Sequence, residues 1–86
     1  MSTADELRRR LAALEPVRLD IADDSAQHAG HAGAGGGGHF RVTIVSPRFA
    51  GLTTMARHRL VYQTAGDLMN GPIHALSIVA RAPTED

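Results

Sequence analysis

The side chains of this 86-residue chain that could carry chemistry are five histidines, His28, His31, His39, His58 and His74, and nine arginines; cysteine and lysine are absent. Without cysteine there can be no disulfide framework, no cysteine zinc site, no thiol nucleophile and no cluster held by thiolates of this chain alone. Any metal chemistry must therefore pass through imidazole. His28 and His31 stand three apart, but in the glycine-rich stretch SAQHAGHAGAGGGG, residues 25–38, with no following glutamate on a helix, so zinc-protease spacing is missing. By default they are solvated loop residues. His39 opens an alternating apolar segment, where it is expected to pack or hydrogen-bond at a strand start. His58 lies between Arg57 and Arg59, where like-charge repulsion opposes ligation, and reads as structural or as a partner contact. His74 shares a strand phase with Leu76 and Ile78, which by default makes it a partly buried, satisfied residue. Catalysis finds little footing. No carboxylate pair sits in an apolar context that would separate its pKa values, and no serine has a His/Asp arrangement fixed by spacing. The expectation is a protein that is not an enzyme.

Charge is unevenly spread. The formal net charge is zero, yet residues 1–38 carry four arginines against six acids, whereas residues 39–66 carry Arg41, Arg48, Arg57 and Arg59 with no acid. Overall neutrality argues against a chain whose main task is to coat nucleic acid or an anionic membrane. The basic segment still offers rigid, planar guanidinium forks for anions. On one helix Arg57 and Arg59 would fall about 200° apart, so they could not both grip one small anion. Arg48, Arg57, Arg59 and His58 are candidate contacts to a protein partner or to nucleic-acid phosphate, with a solvated face as the default.

These residues need elements to hold them. Thr3 and Glu6 read as a capping box, and Leu7, Leu11 and Leu14 recur at helical spacing, predicting a helix over about residues 3–14 that Pro16 stops. Val17, Leu19 and Ile21 alternate with Arg18 and Asp20, predicting a half-buried strand ended by Asp23-Asp24-Ser25. The composition of residues 25–38 cannot bury enough surface to offset its backbone entropy, so a mobile loop is expected. Phe40, Val42 and Ile44 form the inner face of a second strand closed by Ser46-Pro47, antiparallel to the first. Thr53 or Thr54 caps a second helix to about Ala65, with Leu60, Val61 and Thr64 towards the core and a helical turn at residues 67–70. Asn70-Gly71-Pro72 then stops it, and the nearly continuous apolar run Ile73–Ala80 predicts a third strand, a candidate for the centre of the sheet that its helical crossover allows to be parallel. The result is one α+β domain over residues 1–86, ordered α-β-β-α-(α)-β, with a three-stranded mixed sheet, helices on one face and a short tail at 83–86. No apolar run approaches a membrane span and the N-terminus has no apolar h-region, so the expected location is cytoplasmic.

Five blocks recur in order: Asp23-Asp24-Ser25 before a His/Gly loop; His39-Phe40; Val45-Ser46 with Phe49 and Gly51; Arg57-His58-Arg59-Leu60-Val61-Tyr62; and Ile73-His74-Ala75-Leu76. Together they resemble the BolA family over about residues 5–83. The resemblance implies a fold similar to class II KH domains. It also implies a heterodimer with a monothiol glutaredoxin that shares a [2Fe–2S] cluster, and hence a part in iron homeostasis. In that pairing the glutaredoxin cysteine and glutathione ligate one iron and the BolA chain supplies nitrogen to the other. His74 matches the family ligand at the start of the last strand. The second ligand comes from the loop between the first two strands. Counted from the Asp-Ser motif it is His28; counted back from His39-Phe40 it is nearer His31, and the choice stays open because the loop is expanded. The glycine run also departs from the commoner Pro-Gly-Ser pattern of the loop.

The residues agree with this role. Exchanging thiolate for imidazole raises a cluster's reduction potential, and neutral imidazole is a labile, protonatable ligand, which suits transfer better than storage. Some bacterial family members are described as DNA-binding transcriptional regulators, which gives a second reading through the 53–65 helix and the basic segment. Against it stand the zero net charge, the few aromatics for base stacking, and the absence of a GxxG turn between helices. The free form is expected to be a monomer or a weak homodimer.

Overall fold

The computed structural model describes residues 2–24 and 38–85. Helix α1 spans Thr3–Leu11 and continues as a 3-10 turn over Ala12–Leu14; strands β1 (Arg18–Asp23) and β2 (Gly38–Val45) follow, then helix α2 (Thr54–Ala65), a 3-10 turn over Gly66–Asn70, and strand β3 (Ile73–Arg81). The sheet order is β1-β2-β3, with β1 antiparallel and β3 parallel to β2. The apolar third strand is therefore an edge, and the shorter alternating β2 is the centre. Continuous hydrophobicity misleads here because residues on the two faces of β3 differ in burial: Leu76 is buried while Val79 is 44% exposed.

The N-terminal cap falls one residue earlier than the Thr3/Glu6 pattern predicts. Ser2 Oγ accepts from the Asp5 amide at 3.1 Å, and the Asp5 carboxylate accepts from the Ser2 amide at 3.4 Å. Glu6 is left to the arginines one turn on, Arg9 and Arg10. The helix ends at Glu15 as expected, where the chain takes a left-handed conformation at φ 53° ahead of Pro16. Thr53 caps α2 as expected, its Oγ accepting from the Ala56 amide. Arg10 ties the two helices together by donating to the Ala65 carbonyl at the end of α2 and to Asp67, which places a cation where the helix carbonyls lack partners.

The core lies between the helices and one sheet face. Leu7, Leu11 and Leu14 meet Phe40, Val42, Ile44, Phe49, Val61 and Leu76 there. Leu19 and Ile21 pack against this cluster, but Val17 precedes the strand and is 67% exposed, contrary to its predicted place in the core. Ser46, fully buried, donates to the Leu14 carbonyl at 2.6 Å and accepts from the Arg48 amide, joining the end of α1 to the exit of β2.

Candidate functional site

The pairing of β2 with β3 contains one irregularity, and it sits at the start of both strands. Gly38 faces Ile73, but His39 faces Ala75, so β3 carries one extra residue, His74. This bulge changes the phase of the strand. Ile73 and Leu76 both turn into the core, three apart, and His74 is left exposed between them. The strict alternation that would put His74 with Leu76 and Ile78 is thereby corrected: an imidazole that period-two reasoning half-buries stands in solvent.

The ring of His74 meets a partner that the sequence reading did not select as a ligand. The centres of the His39 and His74 rings are 5.2 Å apart, with the planes inclined by 38°. His39 is half-buried. The backbone beneath the pair is held from both sides. The Gly38 amide donates to the Pro72 carbonyl at 2.8 Å, and the Asp24 amide donates to the His39 carbonyl at 2.7 Å. The Asp24 carboxylate in turn accepts from Arg41 at 2.6 Å. Gly38 fits because the Phe40 ring folds over it: an added Cβ would lie 2.3 Å from Phe40 Cε2 and 3.1 Å from the Pro72 carbonyl oxygen. The signal for His39 in the sequence is its place at the head of β2, as His74 stands at the head of β3. It was hidden because strand order and the bulge are not local properties.

His28 and His31 lie outside the described residues. The segment that contains them leaves β1 at Asp24 and re-enters at Gly38, and both of these anchor points adjoin the His39–His74 pair. Among the described residues no group of three or more His, Asp or Glu side chains is positioned to hold a metal ion.

The proposed contact arginines divide. Arg57 is committed internally, its side chain only 11% exposed. It donates to the Leu52 carbonyl, to the Ala80 carbonyl at 3.1 Å, and through both terminal nitrogens to the Glu85 carboxylate at 2.5 and 2.7 Å. This clamp holds the Glu85 carboxyl down to about 2 from an ordinary value of 4.5, with a second contribution from the Ala82 amide. Arg57 also covers the outer edge of β3, as Tyr62 does at Leu76, blunting an edge that would otherwise pair with another chain. In the free chain Arg57 thus has a structural engagement, with Glu85 and two backbone carbonyls. Arg48 pairs with Glu15 at 2.6 Å across the surface. Arg59 is exposed on the opposite side of α2. His58 is half-buried and lines, with Arg57, Val79, Arg81 and Glu85, a shallow groove between α2 and the end of β3. No helix of the described residues is long and apolar enough to cross a membrane.

Comparison with known proteins places this arrangement. Residues 11–85 match the family model described as BolA-like protein. The chain belongs to the BolA family. It is 47% identical over 87 residues to Protein BOLA1, chloroplastic, of Arabidopsis thaliana, covering 95% of this chain and 54% of that protein. The solved structure of BolA1 from Arabidopsis thaliana superposes with a TM-score of 0.87, at 44% identity, over 100% of this chain and 97% of that one. The BolA domain of SufE1 from the same plant superposes with a TM-score of 0.86, at 42% identity, over 100% of this chain and 98% of that one. The DNA-binding transcriptional regulator BolA of Escherichia coli is 39% identical over 67 residues, 78% of this chain and 62% of that protein. The chain spans about half the length, or less, of the first curated relatives it matches. The three-stranded mixed sheet with two helices is the BolA architecture.

Proposed function

We propose that this BolA chain is an iron–sulfur cluster adaptor, which docks on a monothiol glutaredoxin and helps to hold a [2Fe–2S] cluster as shared cargo. His74 supplies one nitrogen and a histidine of the 25–37 segment, His28 or His31, a second. The glutaredoxin cysteine and glutathione supply the thiolates this chain lacks. The observation that carries this reading is the extrusion of His74 by the β3 bulge: an exposed imidazole on a strand whose neighbouring backbone is pinned at Pro72 and Asp24. A cluster shared between two proteins needs such a donor, rigid in its backbone and open to the partner. The anchoring of the 25–37 segment beside that imidazole supports delivery of a second donor to the same place. Recurrence of a BolA domain within a SufE-like protein fits a module that works joined to other proteins.

The test is anaerobic reconstitution with a monothiol glutaredoxin, glutathione, iron and sulfide, followed by visible absorption and circular dichroism. The expected result is a heterodimer spectrum distinct from that of glutaredoxin alone, altered by His74→Ala and by one of His28→Ala and His31→Ala. A spectrum identical to glutaredoxin alone, with no complex on a sizing column, overturns the proposal.

The name of the Escherichia coli relative favours a second reading, a DNA-binding regulator on a KH-like scaffold. Arg57, bound to Glu85 and two carbonyls, is poorly placed to serve it, which leaves α2 with Arg59 as its exposed arginine. Binding to duplex DNA that falls steeply with salt, retains base selectivity and competes with glutaredoxin would support this reading.

A further inference from the structure

We propose that His39 and His74 form a two-imidazole chelate for a borderline divalent transition-metal ion, held by this chain alone. The inference rests on the geometry of the ring pair and not on the adaptor reading. A zinc ion lies about 2.0–2.1 Å from an imidazole nitrogen, hence about 3.2 Å from the ring centre, and two rings at the tetrahedral angle then have centres about 5.2 Å apart. The observed separation is 5.2 Å. The two rings come from adjacent strands whose backbones are hydrogen-bonded into one sheet, so their Cα positions are fixed and an ion would be met by turning the side chains. One ring is half-buried and the other exposed, which gives the ion a route in from solvent.

The chemistry of the donors sets the class of ligand. Two neutral nitrogens without thiolate suit zinc, copper(II) or nickel(II) and do not suit calcium or magnesium, which require oxygen. Among the described residues no third His, Asp or Glu joins the pair, so the two imidazoles are the donors that the test addresses. Such a site holds its ion exchangeably. If His74 also serves a shared cluster, bound zinc withdraws it, and the two cargoes become mutually exclusive; that consequence alone depends on the adaptor reading.

The test uses the full chain without glutaredoxin and zinc ion as the probe. Zinc is titrated into the protein while the histidine ring resonances are followed by NMR, and affinity is measured by calorimetry. The expected outcome is one site per chain, with the His39 and His74 ring signals moving together. His39→Ala and His74→Ala should each weaken binding by about tenfold or more, and the double variant should fall well short of the product of the two losses, because either substitution already breaks the chelate. His39→Gln, which keeps a polar side chain of similar length, should lose the site as fully as alanine, and far-UV circular dichroism checks that each variant is folded. His58→Ala, His28→Ala and His31→Ala should retain the site. Zinc binding that survives His39→Ala, that is abolished by a loop variant instead, or that shows independent losses at the two positions would overturn the proposal. Cluster reconstitution reads the adaptor role separately, so either result can fail without the other.

Discussion

Gly38→Ala should destabilise the protein and pull the histidine pair apart, although the position has no unusual backbone. Gly51 and Gly66 are the described glycines with positive φ; Gly38 is not among them, so alanine meets no conformational barrier there. On entropy alone the substitution would stabilise by about 0.4–1 kcal/mol, through the narrower unfolded ensemble. The opposing effect is steric. The new Cβ would stand 2.3 Å from Phe40 Cε2 and 3.1 Å from the Pro72 carbonyl oxygen, the latter being the acceptor for the Gly38 amide. Phe40 is 4% exposed and cannot swing its ring aside without displacing core neighbours. Overpacking of this kind costs about 1–3 kcal/mol, and the rigid, buried ring puts this clash towards the upper half of that range, so it outweighs the entropic gain by about 1–2.6 kcal/mol. For a domain of this size that corresponds to a fall in Tm of about 5–15 °C. The assay is thermal denaturation followed by circular dichroism, on the single variant and on a Phe40→Leu background. On that background the ring is gone, and Gly38→Ala should become neutral or slightly stabilising. A single variant that melts within about 2 °C of the parent, or a penalty that persists unchanged with Phe40→Leu, would refute the reasoning.

Three further outcomes follow from the contacts described. Ser46→Ala leaves the Leu14 carbonyl and the Arg48 amide without their buried partner and should cost about 1–3 kcal/mol in urea unfolding, with an unchanged m-value. Glu6 and Glu85 each have a carboxyl lowered to about 2 from 4.5, held chiefly by Arg9 and by Arg57 respectively. Because the folded-state values are depressed, their contribution is full above pH 4.5 and is lost as pH falls from there through about 2; Glu6→Gln/Glu85→Gln should therefore flatten stability against pH in that window and leave its slope above pH 5 unchanged. Arg57→Lys keeps the charge but not the fork that spans Ala80 and Glu85, and amide exchange over residues 80–85 should accelerate, whereas Arg59→Lys should leave it unchanged.

Element existence was legible because it is written in local pattern. The leucine spacing of α1, the alternation of Phe40, Val42 and Ile44, and the Thr53 cap each appear where the pattern puts them. The antiparallel pairing of β1 with β2 and the parallel pairing of β3 also appear as expected, whereas the strand order and the side-chain partners between distant elements do not. Composition made β3 look central, yet its outer edge is blunted by Arg57 and Tyr62 from α2, and those contacts follow from tertiary placement. Arg57 looked like a free anion contact because its partner, Glu85, is 28 residues away. The cap moved to Ser2 because both Ser2/Asp5 and Thr3/Glu6 satisfy the capping-box pattern, and Glu6 is better served by Arg9 and Arg10. The assignment of His74 as a candidate ligand came through family resemblance. Periodicity alone pointed it inward, and the contact with His39 was visible in neither.

The bulge at His74 explains how one short segment can fill the core and still present an imidazole to solvent. The core needs large apolar residues from β3 at the level where Gly38 and Phe40 lie, and Ile73 and Leu76 supply them at 2% and 8% exposure. In a regular strand two residues three apart face opposite sides, so both could not be buried in one layer. The bulge absorbs the residue between the pairs Gly38–Ile73 and His39–Ala75, which keeps Ile73 and Leu76 on one face although they stand three apart, and the absorbed side chain, His74, is the one that leaves the core. A polar residue is tolerated there without the desolvation cost that a buried unpaired imidazole would carry. Removing His74 as a residue should therefore cost the core little more than substituting it. Deletion leaves Ile73 and Leu76 two apart, on one face of a regular strand, so both the deletion and His74→Ala should keep a cooperative melting transition close to that of the parent, while both lose the exposed imidazole. A deletion that abolishes cooperative folding, with His74→Ala unaffected, would show that the core needs the bulge itself and would refute this reasoning.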